Sequence, residues 1–383
     1  MSVVYASQSY ATGDTVANNS PIGYKNRIIN GGMRIDQRNA GVVTSQVNAG
    51  GTYALDRFNF YNGLANATKT QQVILGTTSG APPKMTGLSS SPNAILWTNS
   101  ATASASTSSI VQIQHTIEGN RVVDFNWWTS GPRTVTLSFW VYASVAGNYC
   151  VSLSNVNSTA STSYVAPYIV TPASTWQQIV LTIPGPTIGT WATDNSSGIF
   201  ISWILHGSGS SSNVTSTPKT WQTASSSFNY VLTSTQTNLG NTASSTFALT
   251  SVQLELGTIA TPLEWRPWEI ELTMCQRYYE KSYDYSVSVG TVTNNGVKGV
   301  TALSAQQLSG FSWQIEKRSI PSAGIWASTV ANSPNNVTTI GNTTVFVAYC
   351  NSPSTKSVLW LTNSSGLTTG TYYVLHYVIS ADF

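Results

Sequence analysis

The chain has 383 residues, and only 8% are charged, 17 Lys and Arg against 14 Asp and Glu. Its net charge of +3 is scattered over single residues without a basic stripe, which argues against nucleic-acid binding. Thirteen Trp and an aromatic content of 11% argue against disorder. No apolar run reaches the ~20 residues of a spanning helix, so no membrane insertion is expected.

Residues 1–50 read as an arm that attaches the chain to a partner. The first two dozen are polar and weakly patterned, and they lack the basic start and apolar run of a secretory leader. "NRIINGGMRIDQRN", residues 26–39, has short apolar patches around a Gly-Gly turn and reads as a hairpin or docking segment.

Residues 51–268 read as a mainly β unit, an antiparallel jelly-roll-like sandwich of roughly ten strands. "SIVQIQHTIEG" puts Val111, Ile113, His115 and Ile117 on one face and Gln112 and Gln114 on the other. "TVTLSFWVYAS" sets Val135, Leu137, Phe139 and Val141 against Thr136, Ser138 and Trp140. "TWQQIVLTIPG", "GIFISWILHG" and "STFALTSVQLELG" repeat the period of two, with Gly-, Pro-, Ser- and Asn-rich spacers between.

The chemistry then changes. From Thr134 to Leu254 the charged residues are Asp194 and Lys219, yet six of the fourteen carboxylates fall between Glu255 and Asp284. Val252 to Leu256 reads as a strand with Glu255 facing out. "ATPLEWRPW" reads as an extended exit, because Pro262 and Pro267 disfavour helix before them. Residues 269–286 read as a connecting helix, with Ile270, Met274 and Tyr278 on its packed stripe and its charges solvating the other face. This is a hinge to a smaller C-terminal β domain, residues 287–383.

Chemistry is sparse. His115, His206 and His376 lie far apart, and no Cys-x-x-Cys pair exists, so neither a metal of the zinc kind nor a cofactor is expected; a calcium site drawing on Asp56 or Asp194 is the alternative, without EF-hand spacing. Cys150, Cys275 and Cys350 are odd in number and widely spaced, which suits free thiols and a reducing cytoplasm. A glycosidase needs two carboxyls across a groove. Asp124 before Trp127 and Asp194 after Trp191 are the candidates, and both read better as turn or capping residues. Binding is easier to support. Trp140, Trp176 and Trp203 sit in strand runs and read as core. Trp97, Trp127, Trp128, Trp191 and Trp221 lie nearer loops and are the candidate glycan contacts.

Several segments occur in a telling order: "NRIINGGMRIDQRN", "YALDRF", "IEGNRVVDFNWW", "VTLSFWVYAS", "TWQQIVLTIPGPTIGTWATDNSSGIFISW" and "VQLELGTIATPLEWRPWEIELTMCQRYY". From about Asn26 onward the chain thereby resembles a group of tailed-phage and prophage tail-fibre-like virion proteins. The resemblance implies a jelly roll like those of carbohydrate-binding modules and a structural place in the virion, after assembly in the host cytoplasm. It implies a homotrimeric fibre or spike subunit, joined to tail, baseplate or head proteins through the N-terminal arm and touching host-surface glycan. It transfers no catalytic residue. A glycan-cleaving tailspike, a head or collar decoration and a bacterial secreted adhesin are the competing readings. Trp128 stands where the group is expected to have a small residue.

Overall fold

The computed structural model describes residues 24–85, 91–102, 109–155, 161–208, 213–223, 230–363 and 366–383; the first 23 residues of the expected arm lie outside it. The chain is mainly β, with 45% of it in strands and a single short α-helix among the described residues. The first eleven strands are β1 (Thr44–Leu55), β2 (Phe58–Ile74), β3 (Asn93–Asn99), β4 (Ile110–Glu118), β5 (Val135–Ala143), β6 (Gly147–Ser154), β7 (Thr162–Val170), β8 (Gln177–Ile183), β9 (Ser197–Gly207), β10 (Trp221–Thr223) and β11 (Thr246–Leu256).

They form one antiparallel sheet in the order β10-β7-β6-β9-β4-β2-β3-β11-β5-β8, with β1 also paired to β2. The long strand β2 makes the corner. Its first part, Phe58–Asn62, pairs with β4, and its last part, Thr68–Ile74, pairs with β3. The sheet therefore curls until β7 meets β5 and β8, and the two limbs enclose one core as a sandwich does. Alternation decides what enters that core. Val111, Ile113 and Ile117 from one limb meet Leu137, Phe139 and Val141 from the other. Trp203 lies 5.8 Å from Phe139 across the gap and 6.3 Å from Phe58 on its own limb.

Trp203 is thus core, as its strand suggested, but Trp140 and Trp176 are not. They stand half-buried on the outer side of their limb, where Trp176 packs 5.6 Å from Tyr142 and donates to Pro83 O at 2.8 Å. The period of two, which sets Trp140 opposite Phe139, is the physical reason.

The segment 26–31 docks beside β11. β3 pairs with β11 only as far as Leu249. Beyond that, Val252 N donates to Gly31 O and Arg27 N donates to Leu254 O, each at 2.9 Å. Asn26 clamps the join, accepting from Leu254 N and donating to Val252 O. Gly31 is required there, because a Cβ would meet Val252 O at 2.1 Å.

Glu255 does not face solvent. The exit after β11 folds back over it, so its carboxylate accepts from Thr261 N at 2.9 Å, Thr261 Oγ1 at 2.7 Å and Gln253 Nε2 at 2.8 Å. The helix α1 (Trp268–Gln276) is also shorter than expected, and Glu271 and Cys275 are its buried side chains, not Ile270 and Met274. It stops because Tyr279–Lys281 becomes β12, paired with the last strand.

The C-terminal unit adds β13 (Lys298–Ser304), β14 (Gln307–Ser312), β15 (Ser322–Trp326), β16 (Asn336–Val337), β17 (Phe346–Pro353), β18 (Ser357–Asn363) and β19 (Tyr372–Ser380). Its sheet runs β12-β19-β13-β14-β18-β17-β16, with β15 also on β19, over a separate core around Leu308, Leu361, Leu375 and Tyr377.

Most charges of the linking segment do not solvate a hinge: Glu269 and Asp284 are exposed, but Glu271, Glu280 and Lys281 are buried and Arg277 is half-buried in the joint between the two units. Arg277 grips Glu118 of β4 through two 2.9 Å bonds, and Tyr278 donates to the same carboxylate. Arg266 pairs with Glu264 and Glu271, and Arg27 pairs with Asp124 at 2.6 Å. Asp382 pairs with Arg38 and Arg57. Glu280 and Lys317 meet at 2.6 Å with no side-chain exposure at either partner. Removing one member of such a pair strands a charge in a poorly solvating interior, which is far costlier than losing a surface pair.

Asp56, in the β1–β2 turn, is the strained acid of this joint. Burial pushes its carboxyl up to about 7, against the pull of Arg38 and the two Gln37 hydrogen bonds; Asp36 adds to the push. Lys281 also feels its charge. Because the folded value exceeds the unfolded one, the stability from this group is complete below about pH 4 and is lost as pH rises through about 7. Thermal melting should therefore fall by several degrees between about pH 5 and about pH 8. The slope should be shallower in Asp56→Asn, which cannot ionise.

Candidate functional site

Four of the five candidate tryptophans converge at one end of the sandwich. Trp127 and Trp128 lie on the loop from β4 to β5, Trp191 on the loop from β8 to β9, and Trp221 opens β10. Trp127 and Trp191 meet edge-on at 4.7 Å, and Trp221 lies 5.4 Å from one and 5.3 Å from the other. Phe125 and Tyr164 extend the cluster. Each of these three indoles donates inward to a main-chain carbonyl: Trp127 to Arg133 O, Trp191 to Ile188 O and Trp221 to Pro184 O. They are packing residues that knit three loops together, with Trp127 and Trp191 almost wholly buried.

Trp97 is elsewhere. It lies in β3 inside the main core with no exposure, so it is not a surface contact. Its neighbourhood in sequence suggested a loop, but pairing with both β2 and β11 places it in mid-sheet.

Trp128 differs from all of these. It is 40% exposed, and its backbone has φ of +60°. A bulky residue in the left-handed region is strained and is held there only by its surroundings. Here Trp128 N donates to Pro186 O at 2.8 Å, while Asn126 and Thr129 brace the turn through Gly131. The ring stands at the mouth of a shallow cavity of about 180 Å³. Asn126, Thr129 and Thr193 supply polar groups around it, Trp127 and Trp191 form its back, and no ionisable side chain lines it.

That arrangement can do one thing well: stack an apolar face on an indole while neutral groups hydrogen-bond at the rim. It offers no acid or base. Asp124, next in sequence, is bound to Arg27. Asp194 is fully exposed, and hydrogen bonds from Ser196 hold its carboxyl below the usual range, the opposite of what a general acid requires. Among the described residues no three His, Cys, Asp or Glu side chains group as metal ligands would. The three cysteines are free.

Sequence reasoning missed a second concavity, of about 360 Å³, where Arg57, Asn59, Gln114 and Ser197 of the sandwich face Arg318 and Phe383 of the C-terminal unit. The alternation of Gln112 and Gln114 with core residues was its one legible signal. The opposite wall comes from 121 or more positions away in sequence (Ser197 to Arg318) and has no local signature.

No protein-family model and no curated protein matches the chain. Among solved structures it is similar to the enzymatically active domain of tailspike protein 4 of bacteriophage CBA120, at 10% identity and a TM-score of 0.30, over 61% of this chain and 22% of that one. It is similar to a family 4 carbohydrate-binding module at 12% identity and a TM-score of 0.26, over 60% of this chain and 98% of the module. It is also similar to the family 11 carbohydrate-binding module of Clostridium thermocellum in complex with a mixed-linked tetrasaccharide, at 13% identity and a TM-score of 0.28, over 57% and 98%. The chain thus spans about a fifth of the tailspike domain's length. No helix of the described residues is long and apolar enough to cross a membrane.

Two substitutions separate packing from exposure. Trp97→Ala should cost about 3–5 kcal/mol in denaturant unfolding, because it opens a cavity in the core. Trp128→Gly should stay within about 1 kcal/mol of the parent, because relief of the left-handed strain offsets the lost contacts.

Proposed function

We propose that the chain is a subunit of a tailed-phage virion appendage that adheres to host-surface glycan without cleaving it. The observation that carries the binding part is Trp128, a half-exposed indole held in a strained conformation over an uncharged, hydroxyl- and amide-lined cavity. Sugar rings present apolar C–H faces and neutral hydroxyls, which are the two complements of that surface. The ordered segments from Asn26 onward support the virion part, through the resemblance they carry. A charge-poor surface also suits adhesion that varies little with salt.

Non-catalytic binding is favoured by the state of the two nearby acids, one tied to an arginine and the other ionised in solvent. The appendage reading carries with it a homotrimer joined to other virion proteins through the N-terminal residues.

Binding to neutral oligosaccharides should appear as a change in Trp fluorescence, and Trp128→Ala should weaken it at least about tenfold with little loss of stability. Unchanged affinity in that variant removes the site. New reducing ends after incubation with host polysaccharide would replace adhesion by cleavage. Native mass spectrometry should give three copies of the 41.0 kDa chain.

A further inference from the structure

The cleft between the sandwich and the C-terminal unit has a different chemistry from the Trp128 cavity. Its walls are Arg57, Asn59, Gln114 and Ser197 on one side and Arg318 and Phe383 on the other, and Tyr53 and Phe200 add aromatic surface. Its volume is about 360 Å³, room for about a dozen waters at ~30 Å³ each, so a bare anion would fill little of it.

Five polar atoms of its lining are buried without a hydrogen-bond partner: Arg57 Nε and Nη1, Arg318 Nε, Asn59 Oδ1 and Ser197 Oγ. Buried donors and acceptors are normally satisfied, so an unmatched set around one space points to something that completes it. Three are cationic donors and two are neutral oxygens.

The charge balance has the same sign. Arg318 donates only to main-chain carbonyls, Asn195 O at 3.1 Å and Asp382 O at 2.7 Å, and no carboxylate lies within ion-pair distance of it among the described residues. Its guanidinium stacks 3.8 Å from the Phe383 ring. Arg57 donates to Thr116 O and reaches the Asp382 carboxylate only at 3.5 Å, while that carboxylate is also held by Arg38 and Ser380. Asp382 thus serves two arginines and leaves Arg318 without an ion-pair partner, though it feels the Glu118 and Asp382 charges from farther off. The nearest other carboxylate of the sandwich, Glu118, is committed to Arg277 and Tyr278.

We propose that this cleft is a second saccharide site that takes an acidic sugar, a pyranose bearing a carboxylate. The carboxylate lies between Arg57 and Arg318, where planar guanidinium donors match it. The ring hydroxyls meet Asn59, Gln114 and Ser197, and the C–H face lies against Phe200. The site is distinct from the Trp128 cavity: it shares no lining residue with it and offers cationic donors where the other has no ionisable side chain. Because its walls come from both units, it also requires the joint to be closed.

The test is calorimetric titration of the full-length protein with a galacturonate tetramer, a sialylated trisaccharide, a neutral glucose tetramer and inorganic phosphate. At least one of the two acidic sugars should bind, with affinity falling as salt rises from ~50 to ~500 mM. Arg318→Gln should weaken that binding about tenfold or more. Gln114→Ala, which touches no ion pair of the joint, should weaken it severalfold with the melting temperature unchanged. Trp128→Ala should leave it intact, so failure here and failure of the neutral-glycan site read out separately. The proposal is overturned if neither acidic sugar binds, if phosphate binds as tightly and displaces the sugar, or if both cleft variants bind like the parent.

Discussion

Everything else in this molecule depends on charges buried where its two β units meet. A chain with few ionisable residues has placed many of them in one joint, and almost none of these reach solvent. Arg27, Arg57, Arg266, Glu118, Glu280 and Lys317 are each buried and each hydrogen-bonded there. A buried ion pair contributes little net stability compared with apolar packing, but a mispaired one is very costly. The joint therefore specifies geometry: one arrangement of the linker, the docking segment and the C-terminal strand pairs each of its buried carboxylates Glu118, Glu271, Glu280 and Asp382 with a cation, and shifted arrangements strand some of them.

This joint also explains why two stretches remote in sequence are distinctive together. "NRIINGGMRIDQRN" and "VQLELGTIATPLEWRPWEIELTMCQRYY" are neighbours in space. Asn26 and Gly31 hold the free stretch of β11, Arg266 donates to Ile28 O, and Asn30 N donates to Glu271. The residues most characteristic of the resemblance are thus two halves of one structural unit. They act by fixing how the sandwich presents its loops and its outer face, and they touch neither candidate ligand cavity through a reacting group.

The two cavities divide the work of tryptophan and arginine. At the loop end, three indoles are consumed in packing and one is left at the surface under backbone strain. At the joint, the same concentration of arginine that satisfies Glu118 and Asp382 leaves donor atoms over. Both candidate sites therefore arise as surplus from a structural cluster: aromatic surplus in one, cationic surplus in the other.

What the sequence determined by itself was periodic. Alternation over Ile110–Ile117 and Val135–Val141, with turn residues between, defined strands and their inward faces, because a pleat repeats every two residues whatever its neighbours are. It also marked the change at Glu255 and narrowed the candidate aromatic contacts to five. Only the tertiary structure decided which of those five face solvent, since Trp127 and Trp128 are sequence neighbours on one loop and differ in what packs over them. The same holds for Glu255, which a folded-back loop buries, and for the helix, which a strand partner a hundred residues downstream cuts short. The cleft lay beyond any local reading, because Arg57 and Arg318 are brought together by the joint and by nothing in their own segments. Periodicity is a property of a stretch of chain; burial and charge pairing are properties of contacts, and most of the contacts that matter here are long-range.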